Sequence, residues 1–181
     1  MNQYLSKSQE FKKSIEILKK DKAKTNHVKV QNAYYTCFLY IKHIMSVYLV
    51  SDDIYYNFSK KINKSRNIHG GSHELLLFIC RILLGFHKVK KNRYMNIDAK
   101  IKSLKSDRAI ATYTKDEITD DELQDILDAA NNTIARVEEL EQDLQSKQAK
   151  NRLHKIEDYN YITKFEWSVE NNKGKTDYIY L

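Results

Sequence analysis

Arg108 and Tyr113 are the two residues whose types and spacing point most directly to chemistry on a phosphate group. A guanidinium stabilises negative charge on phosphate oxygens. A tyrosine is a poor base near neutral pH, because a phenol in water has a pKa of about 10, but its hydroxyl can orient a phosphate. A packing role is the alternative for both residues. Arg108 would then bind a carboxylate or helix-terminal carbonyls, and Tyr113 would pack with its hydroxyl satisfied.

Seven further basic residues are candidates for contact with the phosphates of a nucleic acid. They are Arg66, Lys88, Lys90, Lys91, Arg93, Lys102 and Lys105. Tyr55, Tyr56 and Tyr94 lie close to these charges in the sequence, and such rings stack on the bases of single-stranded RNA. A lysine-rich, solvated surface is the alternative interpretation of the same residues.

Charge is unevenly distributed along the 181 residues, whose net charge is +7. Residues 1–108 carry 22 Lys and Arg against 8 Asp and Glu, whereas residues 109–149 carry 3 against 11. A basic surface attracts phosphates, while an acidic helix screens that surface, binds a basic partner or is simply solvated. RNA and a cognate protein are therefore the two candidate partners.

The histidines do not complete a metal or catalytic pattern. His69 and His73 lack nearby cysteines or carboxylates, which makes an incomplete zinc site, so neither a metal nor a cofactor is expected. Arg66 precedes His73 at a loose catalytic spacing, but six arginines and six histidines generate such a match by chance. His73 is instead predicted to cap or pack the helix that it opens.

The composition predicts a protein of the reducing cytosol. Cys37 and Cys80 both lie in apolar runs, where a free thiol behaves as a small hydrophobe. The most apolar stretch, residues 75–86, is too short to cross a bilayer and contains Arg81. A cytoplasmic location without membrane contact is the expectation.

Helices must position these side chains, since the chain has no proline and only four glycines. Apolar residues recur at helical spacing in five segments, over residues 6–20, 27–50, 73–86, 96–107 and from 119 past 144. Residues 51–72 lose this periodicity and are predicted to form a long connection. The clearest helix start is Thr119, because Glu122 follows three positions later in the pattern of a capping box.

The last part of the chain has a different pattern. Aromatic and β-branched residues alternate from Tyr161 to Val169, and Asn171-Asn172-Lys173-Gly174 is typical of a turn before a second extended run. The predicted fold class is therefore mainly α, an antiparallel bundle of about five helices over residues 1–149. Residues 150–181 form a C-terminal extension, predicted to be a β-hairpin appendage.

Four local patterns occur in order along the chain. They are Asn32-Ala33-Tyr34-Tyr35-x-x-Phe38, Ser72-His73, Arg108-x-x-Ala111-x-Tyr113, and the acidic-capped helix from Thr119. Together they span about residues 7–147 and leave the C-terminal extension uncovered. This series resembles the HEPN superfamily of helical-bundle proteins, particularly its small single-domain bacterial members.

The resemblance implies an antiparallel bundle and a homodimer formed near the arginine motif. In many members it also implies metal-independent RNase activity in toxin–antitoxin or antiviral defence systems, at a site shared by two subunits. Those RNases carry a histidine about four to six residues after the arginine. Here Tyr113 follows Arg108 after four residues, so the resemblance places these two residues at the catalytic position without the usual histidine.

Two functional hypotheses follow. The first is a HEPN-like RNA- or nucleotide-associated protein of a defence or toxin–antitoxin system, acting as a dimer in which Arg108 contacts phosphate. Whether such a protein cleaves RNA is left open by the tyrosine. The alternative is a non-catalytic protein–protein interaction module that uses the acidic last helix and the aromatic hairpin.

Overall fold

The computed structural model describes residues 2–19, 25–66, 71–86, 91–114, 117–150, 153, 155–156, 167–170 and 176–179. This part of the chain is mainly helical, as predicted. The helices are α1 (Gln3–Lys19), α2 (Asn26–Ile44), α3 (Asp52–Arg66), α4 (Gly71–Phe86), α5 (Lys91–Tyr113) and α6 (Asp120–Ala149). A π-helical turn, Met45–Leu49, continues α2 directly. Two short strands, β1 (Trp167–Glu170) and β2 (Thr176–Ile179), follow.

α3 occupies a segment that was predicted to be a connection, so the predicted number of helices was too low. Asp52 and Asp53 lie in its first turn, where carboxylates favour the positive end of a helix. Ile54 is buried against the core. The polar residues that interrupt the apolar periodicity therefore do not prevent a helix here. α5 is also longer than predicted, since it runs from Lys91 to Tyr113.

α2 is the central helix, as its broad apolar stripe predicted, and it contacts α1, α5 and α6. Ser8 Oγ on α1 donates to the Thr36 carbonyl at 2.9 Å. Phe11 stacks on Tyr35 with ring centres 5.4 Å apart. The side chains of α2 that are completely buried recur at helical spacing, as expected of a helix enclosed on its apolar side. They are Val30, Ala33, Tyr34, Cys37, Ile41 and Ile44.

α2 and α6 run parallel, whereas α2 and α5 run antiparallel, since Ala111 lies beside His27 and Arg108 lies beside Tyr34. Cys37 Sγ lies 3.6 Å from the Ala130 carbonyl. Further along both helices, the Tyr40 hydroxyl donates to Glu141 Oε2 at 2.7 Å. Because both partners advance in the same direction, the two helices point the same way. The long α5, which precedes α6 in the chain, supplies the reversal that this arrangement needs.

The chain beyond α6 packs on the end of the π-helical turn. Ile156 N–H donates to the Leu49 carbonyl at 2.9 Å, and Ser51 N–H donates to the Ile156 carbonyl at 3.2 Å. Leu153 and Ile156 are both buried. The first residues of the predicted C-terminal extension therefore belong to the core of the bundle.

β1 and β2 pair antiparallel, with Trp167 opposite Ile179. Residues 171–175, on which the predicted turn falls, lie outside the described residues, so the hairpin appendage stays a prediction. Cys37 and Cys80 are free and buried, as predicted. Within the described ranges, none of the helices combines the length and apolar character needed to cross a membrane.

A partly buried polar network joins α2 to α6. Glu141 accepts hydrogen bonds from the Tyr40 hydroxyl at 2.7 Å, from His43 Nε2 at 3.0 Å and from the Tyr48 hydroxyl at 3.1 Å. Gln145 Nε2 donates to the Tyr48 hydroxyl at 2.9 Å. One carboxylate thus satisfies three donors from α2 and the π-helical turn, which fixes the register of α6 on α2.

Replacement of Glu141 should destabilise the fold. Glu141→Ala leaves three donors without their acceptor, so we expect the free energy of unfolding to fall by about 3 kcal/mol. Urea unfolding followed by circular dichroism measures this change. Glu139→Ala is the matched control, because Glu139 is exposed on the same helix and its loss should cost less than about 0.5 kcal/mol. Equal midpoints for the two variants would contradict the role given to the network.

Candidate functional site

Arg108 lies where α5 meets α2, held against two aromatic rings. Its guanidinium carbon is 5.7 Å from the centre of the Tyr34 ring and 5.5 Å from that of Tyr35. The Nε atom is buried and has no hydrogen-bond partner in the described structure. Among the described residues Arg108 forms no salt bridge, so the alternative in which a carboxylate fixes it is not what the structure shows. Cation–π contacts hold the guanidinium and leave hydrogen-bonding capacity unused.

His73, in the first turn of α4, lies beside the same tyrosine. Its Nδ1 is 2.6 Å from the hydroxyl of Tyr34, which is completely buried, and its ring centre is 4.2 Å from that of Phe38. Burial raises the pKa of Tyr34, so the phenol keeps its proton. We take the Tyr34 hydroxyl as the donor and Nδ1 as the acceptor, because the buried phenol has a proton to donate and Nδ1 is its partner within the described residues. The neutral imidazole then carries its hydrogen on Nε2 and presents a donor.

The surroundings of His73 are electropositive. Burial lowers the pKa of His73, and the positive charges of Arg108, Lys105 and Lys42 lower it further. The ring is therefore neutral at pH 7. An anion placed here would relieve the repulsion that these cations exert on a protonated ring.

Lys105, on α5, is a second cation close to His73. Its Nζ lies 2.9 Å from Glu74 Oε1, in the residue that follows His73. Two cations against one carboxylate leave a net positive charge. We call the group formed by Tyr34, Tyr35, His73, Lys105 and Arg108 the basic–aromatic cluster. All of its members except Tyr34 are half-buried and reach the surface. It offers N–H donors and positive charge, which suit a phosphate or a similar oxyanion.

Tyr113 is not part of this cluster. Its side chain is 76% exposed, while Arg108 packs inward on α2. Five positions on a helix correspond to about 140° around its axis, which explains why the two side chains diverge. The structure therefore does not bring the predicted catalytic pair together within one chain.

The residues that were predicted to contact nucleic acid do not all lie in the basic–aromatic cluster. Lys105 belongs to the cluster. Lys102 is half-exposed and pairs with Asp98 at 3.1 Å, one helical turn away. Lys88 and Lys90 lie outside the described residues. Lys91 and Arg93 lie in α5 and Arg66 in α3, but their side chains lie outside what the structure describes.

Tyr34, Tyr35 and His73 are the site residues that were not predicted to have a functional role. All three stand in the patterns that carry the family resemblance, which was the available signal. His73 was predicted only to cap or pack α4, and its contact with Phe38 does include packing. Its hydrogen bond joins it to Tyr34, 39 positions earlier in the sequence, and patterns of local spacing cannot predict a contact over that distance. Within the described residues, no group of three or more His, Cys, Asp or Glu side chains is placed to hold a metal ion.

The pKa of His73 tests this electrostatic description. We expect the imidazole of the wild-type protein to titrate below about 6.5, the ordinary value for histidine. Arg108→Met should raise the pKa of His73 toward that value, because a nearby positive charge is lost. Histidine ring signals followed by NMR against pH give both numbers. Lys102→Met is the matched control and should leave His73 unchanged, because Asp98 neutralises Lys102. An unchanged pKa in Arg108→Met would contradict the description.

Comparisons with known proteins leave the site to be interpreted from its own geometry. A scan against protein-family models, a search of curated proteins and a search of solved structures each gave no match for this chain.

Proposed function

We propose that this protein is HEPN-like and binds RNA or a nucleotide through phosphate contacts at the basic–aromatic cluster. The observation that carries the proposal is the way in which Arg108 is held, with hydrogen-bonding capacity left over. Its guanidinium is held on Tyr34 and Tyr35, and its buried Nε has no partner in the described structure. A buried donor without a partner is costly, and a bound oxyanion would satisfy it.

The neighbouring groups support an anionic ligand. His73 presents Nε2–H, and Lys105 adds a second positive charge. Glu74 pairs with Lys105, so a phosphate would compete with one carboxylate for this lysine. The basic residues along 1–108 would steer a polyanion toward the site over a longer range.

The cluster favours binding over cleavage. Cleavage through the 2′-hydroxyl of RNA needs a base near neutral pH. His73 uses Nδ1 to accept from Tyr34 and carries hydrogen on Nε2, so its free nitrogen donates rather than accepts. Tyr113 points away from Arg108. We therefore propose an RNA-associated protein without rapid RNase activity.

The biological setting of the proposal comes from the family resemblance. It supports a homodimer and a part in a defence or toxin–antitoxin system, while the two free, buried cysteines support a cytoplasmic location. In such a dimer the arginine motifs of two copies would lie near one another, and a single RNA strand would contact both.

Loss of Arg108 should weaken RNA binding. We expect Arg108→Gln to raise the Kd for labelled single-stranded RNA by about tenfold or more, because charge-assisted phosphate contacts are lost. Binding should be tightest at low salt and should weaken steeply as salt rises. Fluorescence anisotropy at two salt concentrations measures both effects.

Arg136→Gln is the control for this experiment. It removes the same charge from an exposed position on α6, and we expect its Kd to stay within about twofold of wild type. Absence of binding at low salt, or equal weakening by the two substitutions, would refute the proposed site. The same samples on a denaturing gel should contain intact RNA.

A further inference from the structure

A groove lies between the C-terminal half of α5 and the start of α6. Its volume is about 380 Å³, within the range of ligand pockets but too small for a folded domain. Ile110, Ile118 and Ile126 form its apolar part. Ile110 is 49% exposed, and the other two are half-buried against the core. The groove therefore leaves aliphatic surface uncovered at a place where a few side chains of a partner fit.

Carboxylates surround this apolar surface. Asp107, Glu117, Glu122 and Asp125 all line the groove, and its described lining contains no lysine or arginine. Burial raises the pKa of Asp107, so this carboxylate is partly removed from water. We call this feature the acidic groove. An aliphatic floor with a negatively charged rim matches a cationic amphipathic segment, whose apolar side chains would contact the floor and whose cations would face the rim.

Hydrogen bonds hold the end of the acidic groove that lies at the start of α6. Asn26 Nδ2 donates to the Ile118 carbonyl at 3.0 Å and to Asp120 Oδ1 at 3.1 Å. The Thr119 hydroxyl accepts from Glu122 N–H, and the Glu122 carboxylate accepts from Thr119 N–H in return, which closes the predicted capping box. These bonds tie residues 118–120 to α2 and to the first turn of α6. A partner would therefore lose little affinity to ordering of the groove.

The sign of the charge selects the class of partner. Carboxylates repel nucleic acid and anionic lipid, so neither fits this surface. A second copy of this chain fits poorly for a geometric reason. Arg108 and Ile110 are two positions apart, which places them about 200° apart around α5. Groove-to-cluster contact between copies would be head-to-tail and would build a ring or an open chain rather than a two-fold pair.

We propose that the acidic groove binds a cationic amphipathic segment of a different protein. The segment places aliphatic side chains on Ile110 and Ile126, while its lysines or arginines face Asp107 and Asp125. This interaction surface is independent of the proposed RNA function, because it uses the opposite face of α5.

A designed peptide tests the proposal on the full chain. The probe is a short fluorescein-labelled peptide in which leucines repeat every three or four positions among lysines and arginines. A second peptide of equal charge carries serines in place of the leucines. We expect saturable binding of the leucine peptide and binding at least about tenfold weaker for the serine peptide, since apolar contact is lost. Raising the salt should weaken the leucine peptide several-fold.

Matched variants locate the binding. Ile110→Gln should weaken the leucine peptide by about tenfold, whereas Ile17→Gln, at another exposed isoleucine, should leave it unchanged. Asp125→Asn should weaken it several-fold, and Glu139→Gln, which removes the same charge about 21 Å further along α6, should not. The circular dichroism spectrum and the urea midpoint of Ile110→Gln should match those of wild type, which shows that the variant is folded.

Three results would overturn the proposal. The first is no saturable binding of the leucine peptide at low salt. The second is equal binding of the two peptides, or binding that Ile110→Gln does not change. The third is self-association of the wild-type chain that Ile110→Gln abolishes in sedimentation, since the occupant would then be a second copy.

Discussion

A tyrosine buried at the centre of a helical bundle must find a partner for its hydroxyl, and Tyr34 finds that partner in His73. This one hydrogen bond ties α2 to α4, selects the tautomer of the imidazole and leaves Nε2–H as a donor. The tyrosine ring also supports the guanidinium of Arg108 from α5. Three helices therefore converge on one side chain, and the proposed phosphate site depends on that convergence.

α5 separates two kinds of surface. Lys105 and Arg108 lie on the side that faces α2 and α4, whereas Asp107 and Ile110 lie on the side of the acidic groove. These residues are neighbours in the sequence, but successive side chains on a helix point in different directions, so they lie on different faces of α5. The uneven charge along the chain thus becomes a basic face and an acidic face across a single helix. Such an arrangement allows one protein to hold an anion and a cationic partner at once.

Local patterns predicted the elements better than they predicted the site. The capping box at Thr119 and the central position of α2 are confirmed, because both depend on near neighbours or on helical spacing. α3 was missed because it is the most polar of the described helices, so its few apolar residues, such as the buried Ile54, were not recognised as one helical face. The direction of α2 relative to α6 was not predicted, because short-range periodicity carries no information on helix direction. The cluster joins Tyr34, His73 and Arg108 from three distant segments, so only the fold reveals it.

The proposed phosphate site lies beside Tyr34, which both Arg108 and His73 contact. The most direct measurement is an NMR titration of the wild-type protein with a phosphorylated dinucleotide, followed at the ring of His73, with the unphosphorylated nucleoside as control. We expect a saturable shift of the His73 ring signals. We also expect a higher pKa of His73 in the complex, because the phosphate offsets the charges of Arg108 and Lys105. Saturable dinucleotide binding that leaves the signals and the pKa of His73 unchanged would contradict the proposed site.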